Sequence, residues 1–123
     1  MMRILVVEDQ PRNIRLIEQI LLDISDEIEV VKAASGMEAI SKARETEFVL
    51  VLMDIALPDM DGIQTTSWLK EYPQFREVPF IAVTAYATAR EKENIRQVFD
   101  YYISKPIDED LLVEIVQEVL SRR

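Results

Sequence analysis

Residues 48–62 read FVLVLM-DIALPDM-DG: six apolar residues without a break, an aspartate, then a turn-rich segment that closes on glycine. A strand with one face in water alternates apolar and polar side chains. An unbroken β-branched and aliphatic run has no side for water, so it belongs inside a parallel sheet covered on both faces. The same signature recurs at Ile4–Val7, Ile28–Ala33 and Pro79–Thr84, and a shorter, more polar version at Tyr101–Ser104 predicts an edge strand. Amphipathic stretches separate these runs. Pro11 suits a first helical turn and is followed by Ile14, Ile17, Leu21 and Ile24 at helical spacing. Ser35 with Glu38 predicts a capping box for a second helix, and Asp61 with Gln64 a cap for a third over about Gly62 to Tyr72. A fourth, with a thin apolar stripe of Ile95, Val98 and Phe99, is expected from Ala87 to about Phe99. The last begins near Ile107, with Asp108, Glu109 and Asp110 at its positive end.

Five strand–helix units joined by short connections give a single (βα)5 α/β domain, a doubly wound parallel five-stranded sheet with right-handed crossovers, over residues 1–123. The 123 residues contain no histidine and no cysteine. Serine–histidine triads, thiol nucleophiles, disulfides and nearly all zinc sites are therefore excluded. Any chemistry runs on carboxylates, hydroxyls, lysine, arginine and backbone. Fourteen basic against 23 acidic residues leave a net charge of −9, which opposes direct contact with nucleic acid. No apolar run approaches the ~20 residues that span a bilayer and no leader is evident, so the expected setting is the cytoplasm, away from membranes.

In a doubly wound sheet, ligands bind beyond the carboxyl ends of the strands. Glu8 and Asp9 follow the first strand, Asp54 the third, Thr84 ends the fourth, and Lys105 follows the fifth. Each alone has an ordinary explanation: a helix cap, a turn, β-propensity, a solvated lysine. Chance would scatter them over both ends of the sheet, whereas all five fall at one. Three carboxylates there cannot all stay ionised without a cation or large pKa shifts, and oxygen-only ligands favour Mg²⁺ or Mn²⁺. Such an ion, with an aspartate nucleophile and lysine and threonine donors, suits phosphoryl transfer.

Glu8-Asp9, the segment from Met53 to Gly62, Val83-Thr84-Ala85 and Tyr102-Ile103-Ser104-Lys105-Pro106 together resemble the receiver domain of two-component response regulators, in order and over the whole chain. The resemblance implies a flavodoxin-like sheet of strand order 2-1-3-4-5. It implies that Asp54 is the phosphoacceptor, served by a sensor histidine kinase or a histidine phosphotransfer protein. Asp9, Asp54 and the backbone carbonyl of Ala56 would hold Mg²⁺, with Glu8 acting through water. Thr84 and Lys105 would contact the phosphoryl oxygens, and Tyr102 would be the aromatic switch whose ring turns inward as Thr84 moves. The Lys105–Pro106 bond would be cis. The signal would pass through the fourth helix, fifth strand and fifth helix to a downstream protein target, from a monomer or a phosphorylation-dependent dimer. Ala56 and Tyr86, each two positions past a site residue, would govern water access, a bulky Tyr86 slowing hydrolysis.

The chain departs from the family where a glycine usually precedes the fifth strand: here the stretch is Gln97-Val98-Phe99-Asp100, within an interval one residue shorter. An altered exit from the fourth helix is expected. A receiver-like interaction module that is never phosphorylated is the main alternative. A flavin protein would place an acidic loop against a phosphate, and an aspartate-nucleophile phosphatase would need an acid where Ala56 stands. Turnover of an external substrate is therefore not expected; catalysis of its own phosphotransfer and slow self-dephosphorylation is.

Overall fold

The computed structural model describes residues 1–85 and 88–122. Its elements are β1 (Met2–Val7), α1 (Pro11–Ile24), β2 (Ile28–Ala33), α2 (Gly36–Ala43), β3 (Leu50–Asp54) and α3 (Gly62–Leu69). A 3₁₀ turn (Pro73–Phe75), β4 (Phe80–Thr84), α4 (Ala89–Val98), β5 (Tyr101–Ser104) and α5 (Glu109–Ser121) follow. The five strands form one sheet in the order β2-β1-β3-β4-β5, every neighbouring pair parallel, with β5 at an edge as its polarity predicts.

Period-two geometry divides the core. Ile4, Val6, Leu50, Leu52, Ile81 and Val83 point to one face and pack on Ile17, Ile20 and Leu21 of α1 and Leu112, Ile115 and Val116 of α5. Leu5, Val7, Val51, Met53, Phe80 and Ala82 point to the other and meet α2, α3 and α4 through Ile40, Leu69 and Ile95. Fully burying one such side chain contributes about 1.5–3 kcal/mol, more than a residue's entire helix propensity, so packing holds these helices in place.

Several boundaries differ from the sequence expectation for local reasons. β3 starts at Leu50 rather than Phe48, and Phe48 instead stacks on Phe75 with ring centroids 6.3 Å apart. α3 stops at Leu69 rather than Tyr72, because Tyr72 precedes Pro73 and is extended (φ −76°, ψ 134°). α5 begins at Glu109 rather than Ile107, with Asp108 accepting from the Leu111 N–H at 3.1 Å. The expected start of the fourth helix at Ala87 lies outside the described residues, as does Tyr86. α4 carries a full capping box between Thr88 and Glu91.

The altered exit from α4 is real. No described residue has a positive φ, so the helix ends without a left-handed turn, Phe99 being extended. The Lys70 ammonium donates instead to the Val98 carbonyl and lies 5.2 Å from the Phe80 ring centroid. Asp100 then clasps the first residue of β4: its carboxylate accepts from the Phe80 N–H at 2.8 Å, and its N–H donates to the Phe80 carbonyl at 3.0 Å.

The chain has two glycines, and both sit against the β3–α3 loop. A Cβ on Gly62 would lie 2.1 Å from the Asp54 carbonyl oxygen and 2.7 Å from Ile55 Cα, both backbone. A Cβ on Gly36 would meet Met60 Cγ at 2.2 Å. The Asp59 carboxylate ties this loop to α2, accepting from the N–H groups of Gly36 at 2.8 Å and Met37 at 2.9 Å.

Two outcomes follow for stability. Gly62→Ala must displace the backbone at Asp54 and is expected to cost about 1–3 kcal/mol, read from urea unfolding. The Met37 and Gly36 N–H groups hold the Asp59 carboxyl below its ordinary range. A depressed carboxylate contributes stability above its unfolded-state value, near 3.9, and loses it as pH falls through the folded value. Asp59→Ala should therefore lower the melting temperature at pH 7, and the gap from the parent should narrow as pH drops below about 4.

Candidate functional site

The parallel register places β1, β3 and β4 so that their carboxyl ends lie side by side: Val7 pairs with Met53, Asp54 with Val83, and Thr84 with Ser104 of β5. Glu8 and Lys105 are each one residue past a strand end, their backbone N–H groups still bonded to the Ala33 and Thr84 carbonyls at 3.0 and 2.9 Å. Asp54 is the last residue of β3 rather than the first of the loop. All five residues that the sequence singles out thus share the carboxyl edge. Asp54, Thr84 and Lys105, with Asp9, Ala56, Ala85, Gln10 and Asn13, line one cleft of about 490 Å³.

Lys105 organises the charges. Its Nζ lies 3.0 Å from Asp54 Oδ2 and 2.8 Å from Glu8 Oε1. Both carboxylates are buried, Glu8 at 2% and Asp54 at 3% exposure, so without the ammonium they would be an uncompensated pair. Burial, reinforced by the nearby Asp54 charge, pushes the Glu8 carboxyl above its ordinary value even though Lys105 and the Gln10 N–H pull it down. Burial alone would lower the Lys105 ammonium, but its two carboxylate partners outweigh it and the net shift is upward. Asp54 Oδ1 accepts from the Ala56 N–H at 3.0 Å and Glu8 Oε2 from the Gln10 N–H at 3.0 Å, which fixes both side chains.

Glu8, Asp9 and Asp54 each offer a carboxylate oxygen, and the three oxygens lie within 4.8 Å of one another. Glu8 Oε1, although ion-paired, makes no aligned hydrogen bond and keeps acceptor capacity. An all-oxygen set this compact suits a hard divalent cation such as Mg²⁺.

Of the remaining sequence expectations, the Lys105–Pro106 peptide is cis. Tyr102 is 37% exposed and lines a shallow groove with Lys92, Ile95 and Arg96. Trp68 is exposed, and Phe99 is buried. The sequence reading passed over Gln10, Asn13 and Asp59. Asn13 had a usable signal, since it stands four residues after Asp9 at the entrance to a helix and so returns to the same side. Asp59 had none, because its partners lie 22 and 23 residues earlier.

The sequence model of one family, the response regulator receiver domain, matches residues 4–117. The chain is 40% identical over 119 residues to the polar-differentiation response regulator DivK of Brucella ovis, covering 96% of this chain and 95% of that protein. Among solved structures it resembles a CheY-like response regulator receiver domain protein from Methanospirillum hungatei JF-1, with TM-score 0.89 and 31% identity over 99% of this chain and 95% of that one. It is also similar to the receiver domain of sensor histidine kinase PA1611 from Pseudomonas aeruginosa PAO1, a structure with a magnesium ion coordinated in its active-site cleft. There the TM-score is 0.87 and the identity 33% over 98% of each chain. A match that reaches every strand, joined by a relative sharing two residues in five across nearly the full length of both proteins, leaves one assignment: the chain belongs to the family of response regulator receiver domains.

Proposed function

We propose that residues 1–123 form one cytoplasmic receiver domain in which Asp54 accepts a phosphoryl group from the phosphohistidine of a sensor kinase or histidine phosphotransfer protein. The observation that carries this reading is the position of Asp54: buried at the floor of a cleft, with one oxygen held by the Ala56 N–H and the other by Lys105. In the transfer a bond forms between an Asp54 carboxylate oxygen and phosphorus. The phosphorus–nitrogen bond of the donor breaks, and its electron pair returns to the imidazole. Asp9, Asp54 and the Ala56 carbonyl, with Glu8 through water, would hold Mg²⁺, which supplies charge neutralisation for the incoming phosphoryl oxygens.

The chain's own residues do the rest. Lys105 carries three N–H donors, of which Asp54 takes one while Glu8 is held as an ion pair, so it can turn toward a phosphoryl oxygen without abandoning the carboxylates. Thr84, buried at the end of β4 beside the cleft, supplies a hydroxyl donor to another. A dianionic group at this point draws Thr84 toward it, and Tyr102 of β5, partly exposed beside α4, follows inward. The face of α4, β5 and α5 then binds its downstream protein differently, whether as a monomer or through a phosphorylation-dependent dimer. Self-dephosphorylation by water is slow, and no external substrate is turned over.

Intact-protein mass after incubation with acetyl phosphate tests this directly. One added phosphoryl group is expected with Mg²⁺, none with EDTA, and none for Asp54→Asn under either condition. A folded protein that binds Mg²⁺ but gains no mass would instead identify an unphosphorylated interaction module. In the same assay Lys105→Met, which leaves Glu8 and Asp54 without their shared cation, should lower the metal-free melting temperature and slow phosphorylation at least tenfold.

A further inference from the structure

Gln10 and Asn13 line the cleft but have no part in the steps above. Both come from the entrance to α1. Gln10 precedes the first helical residue, Pro11, yet its side chain makes no capping hydrogen bond. Asn13 is the third residue of the helix, from which a side chain can reach back to the N–H of the residue before the helix, closing a capping box. That N–H belongs to Gln10 and is already given to Glu8 Oε2 at 3.0 Å. The structural task open to Asn13 is thus taken, and its half-buried carboxamide bonds to no described group.

The chemistry of the cleft makes this meaningful. Asp54 and Thr84 are buried at its floor, and Lys105 is engaged by two carboxylates. At the mouth, Ala56 and Ala85 are exposed and offer only methyl groups, while Asp9 belongs to the acidic trio. Among the described residues, Gln10 and Asn13 are therefore the uncharged side chains that can hydrogen-bond a group standing there. Phosphoryl transfer requires the attacking and leaving atoms to lie roughly in line through phosphorus. With Asp54 attacking from the floor, the leaving atom departs at the mouth. Gln10 is exposed and longer, whereas Asn13, shorter and half-buried, loses less freedom on making a contact.

We infer that Asn13 is a catalytic residue of the phosphotransfer, its carboxamide hydrogen-bonding the atom that stands in line opposite Asp54. The inference rests on the assignment of Asp54 as phosphoacceptor. During uptake that atom is the donor's leaving oxygen or nitrogen: the Asp54 oxygen–phosphorus bond forms, the donor's bond to phosphorus breaks, and the carboxamide N–H meets the electron pair left behind. During loss it is the oxygen of the attacking water. The water–phosphorus bond forms, the bond to Asp54 breaks with its pair returning to the carboxylate, and the water proton leaves with the phosphate or to solvent. One contact serves both directions.

The test compares the parent with Asn13→Ala and Asn13→Gln, using two donors that differ in the leaving atom: acetyl phosphate, which releases a carboxylate oxygen, and phosphoramidate, which releases nitrogen. Mass gain with time gives the two uptake rates, and mass loss after donor removal gives hydrolysis. Asn13→Ala is expected to slow uptake and hydrolysis by about tenfold, a modest loss for a partly exposed donor. It should also change the ratio of the two uptake rates, and Asn13→Gln should restore part of both. Mg²⁺ affinity by calorimetry and melting temperature should be unchanged. If the parent takes up phosphoryl normally and Asn13→Ala leaves both rates and their ratio intact, the inference falls while Asp54 stands. A drop in Mg²⁺ affinity would make Asn13 part of the metal shell and also overturn it. A parent that gains no mass from either donor removes the assignment of Asp54 and this inference together.

Discussion

The ion pair that Lys105 shares between Glu8 and Asp54 makes strict demands on the whole sheet. β4 separates β5 from β3, so an ammonium that starts just past β5 must reach over an intervening strand, at about 4.8 Å per strand spacing, to touch Asp54. Only a long side chain leaving the strand end at the right height can do this. The registers Asp54–Val83 and Thr84–Ser104 set that height. A slip of one residue in either pairing would turn a core-facing side chain to the wrong face and leave two buried carboxylates without their cation. The fold and the site are therefore specified by the same hydrogen bonds.

The β3–α3 loop applies a second constraint. The Ala56 N–H orients Asp54 from above, and the Gly62 N–H bonds to the Ile55 carbonyl at 2.9 Å, closing the loop back on β3. The absence of a side chain on Gly62 lets α3 start against the backbone of Asp54, and the absence of one on Gly36 lets α2 approach Met60. Asp59 bridges the loop to α2 across the gap between them. A chain with two glycines has placed both around the segment that carries Ala56 and positions Asp54.

Much of this was legible because it is local. Buried parallel strands announce themselves as unbroken apolar runs, and residues just past strand ends must share an edge once the sheet is parallel, so the convergence of Glu8, Asp54, Thr84 and Lys105 needed no coordinates. The caps at Ser35 and Asp61 were readable for the same reason, each acting within three residues, although the Glu38 carboxylate accepts from the Ala34 N–H rather than closing the expected box on Ser35. The Thr88–Glu91 capping box was equally local and simply passed over. What escaped the sequence is long-range: the partners of Asp59 and Lys70 lie 22 to 28 residues away, and nothing in the local pattern selects them. Asn13 escaped differently, since its position could be read but the competition for the Gln10 N–H could not.

The glycine-free exit of α4 shows what such a distant contact accomplishes. A helix ending in a left-handed glycine satisfies its last carbonyls within itself. Here Lys70, from the end of α3, bonds the Val98 carbonyl, and Asp100 fastens the following residue to Phe80 through both carboxylate and backbone. The carboxyl end of α4 is thus tied to α3 and to the first residue of β4, while Thr84, the last residue of β4, stands at the opposite end of the same strand. A displacement that begins at Thr84 meets a fixed point where α4 ends and a lightly packed helix where it begins, for Ile95 is its one buried residue and lies in its last turn. The departure from the family pattern thus lies at the end of β4 away from Thr84 and Asp54, where α3 and β4 hold the carboxyl end of α4.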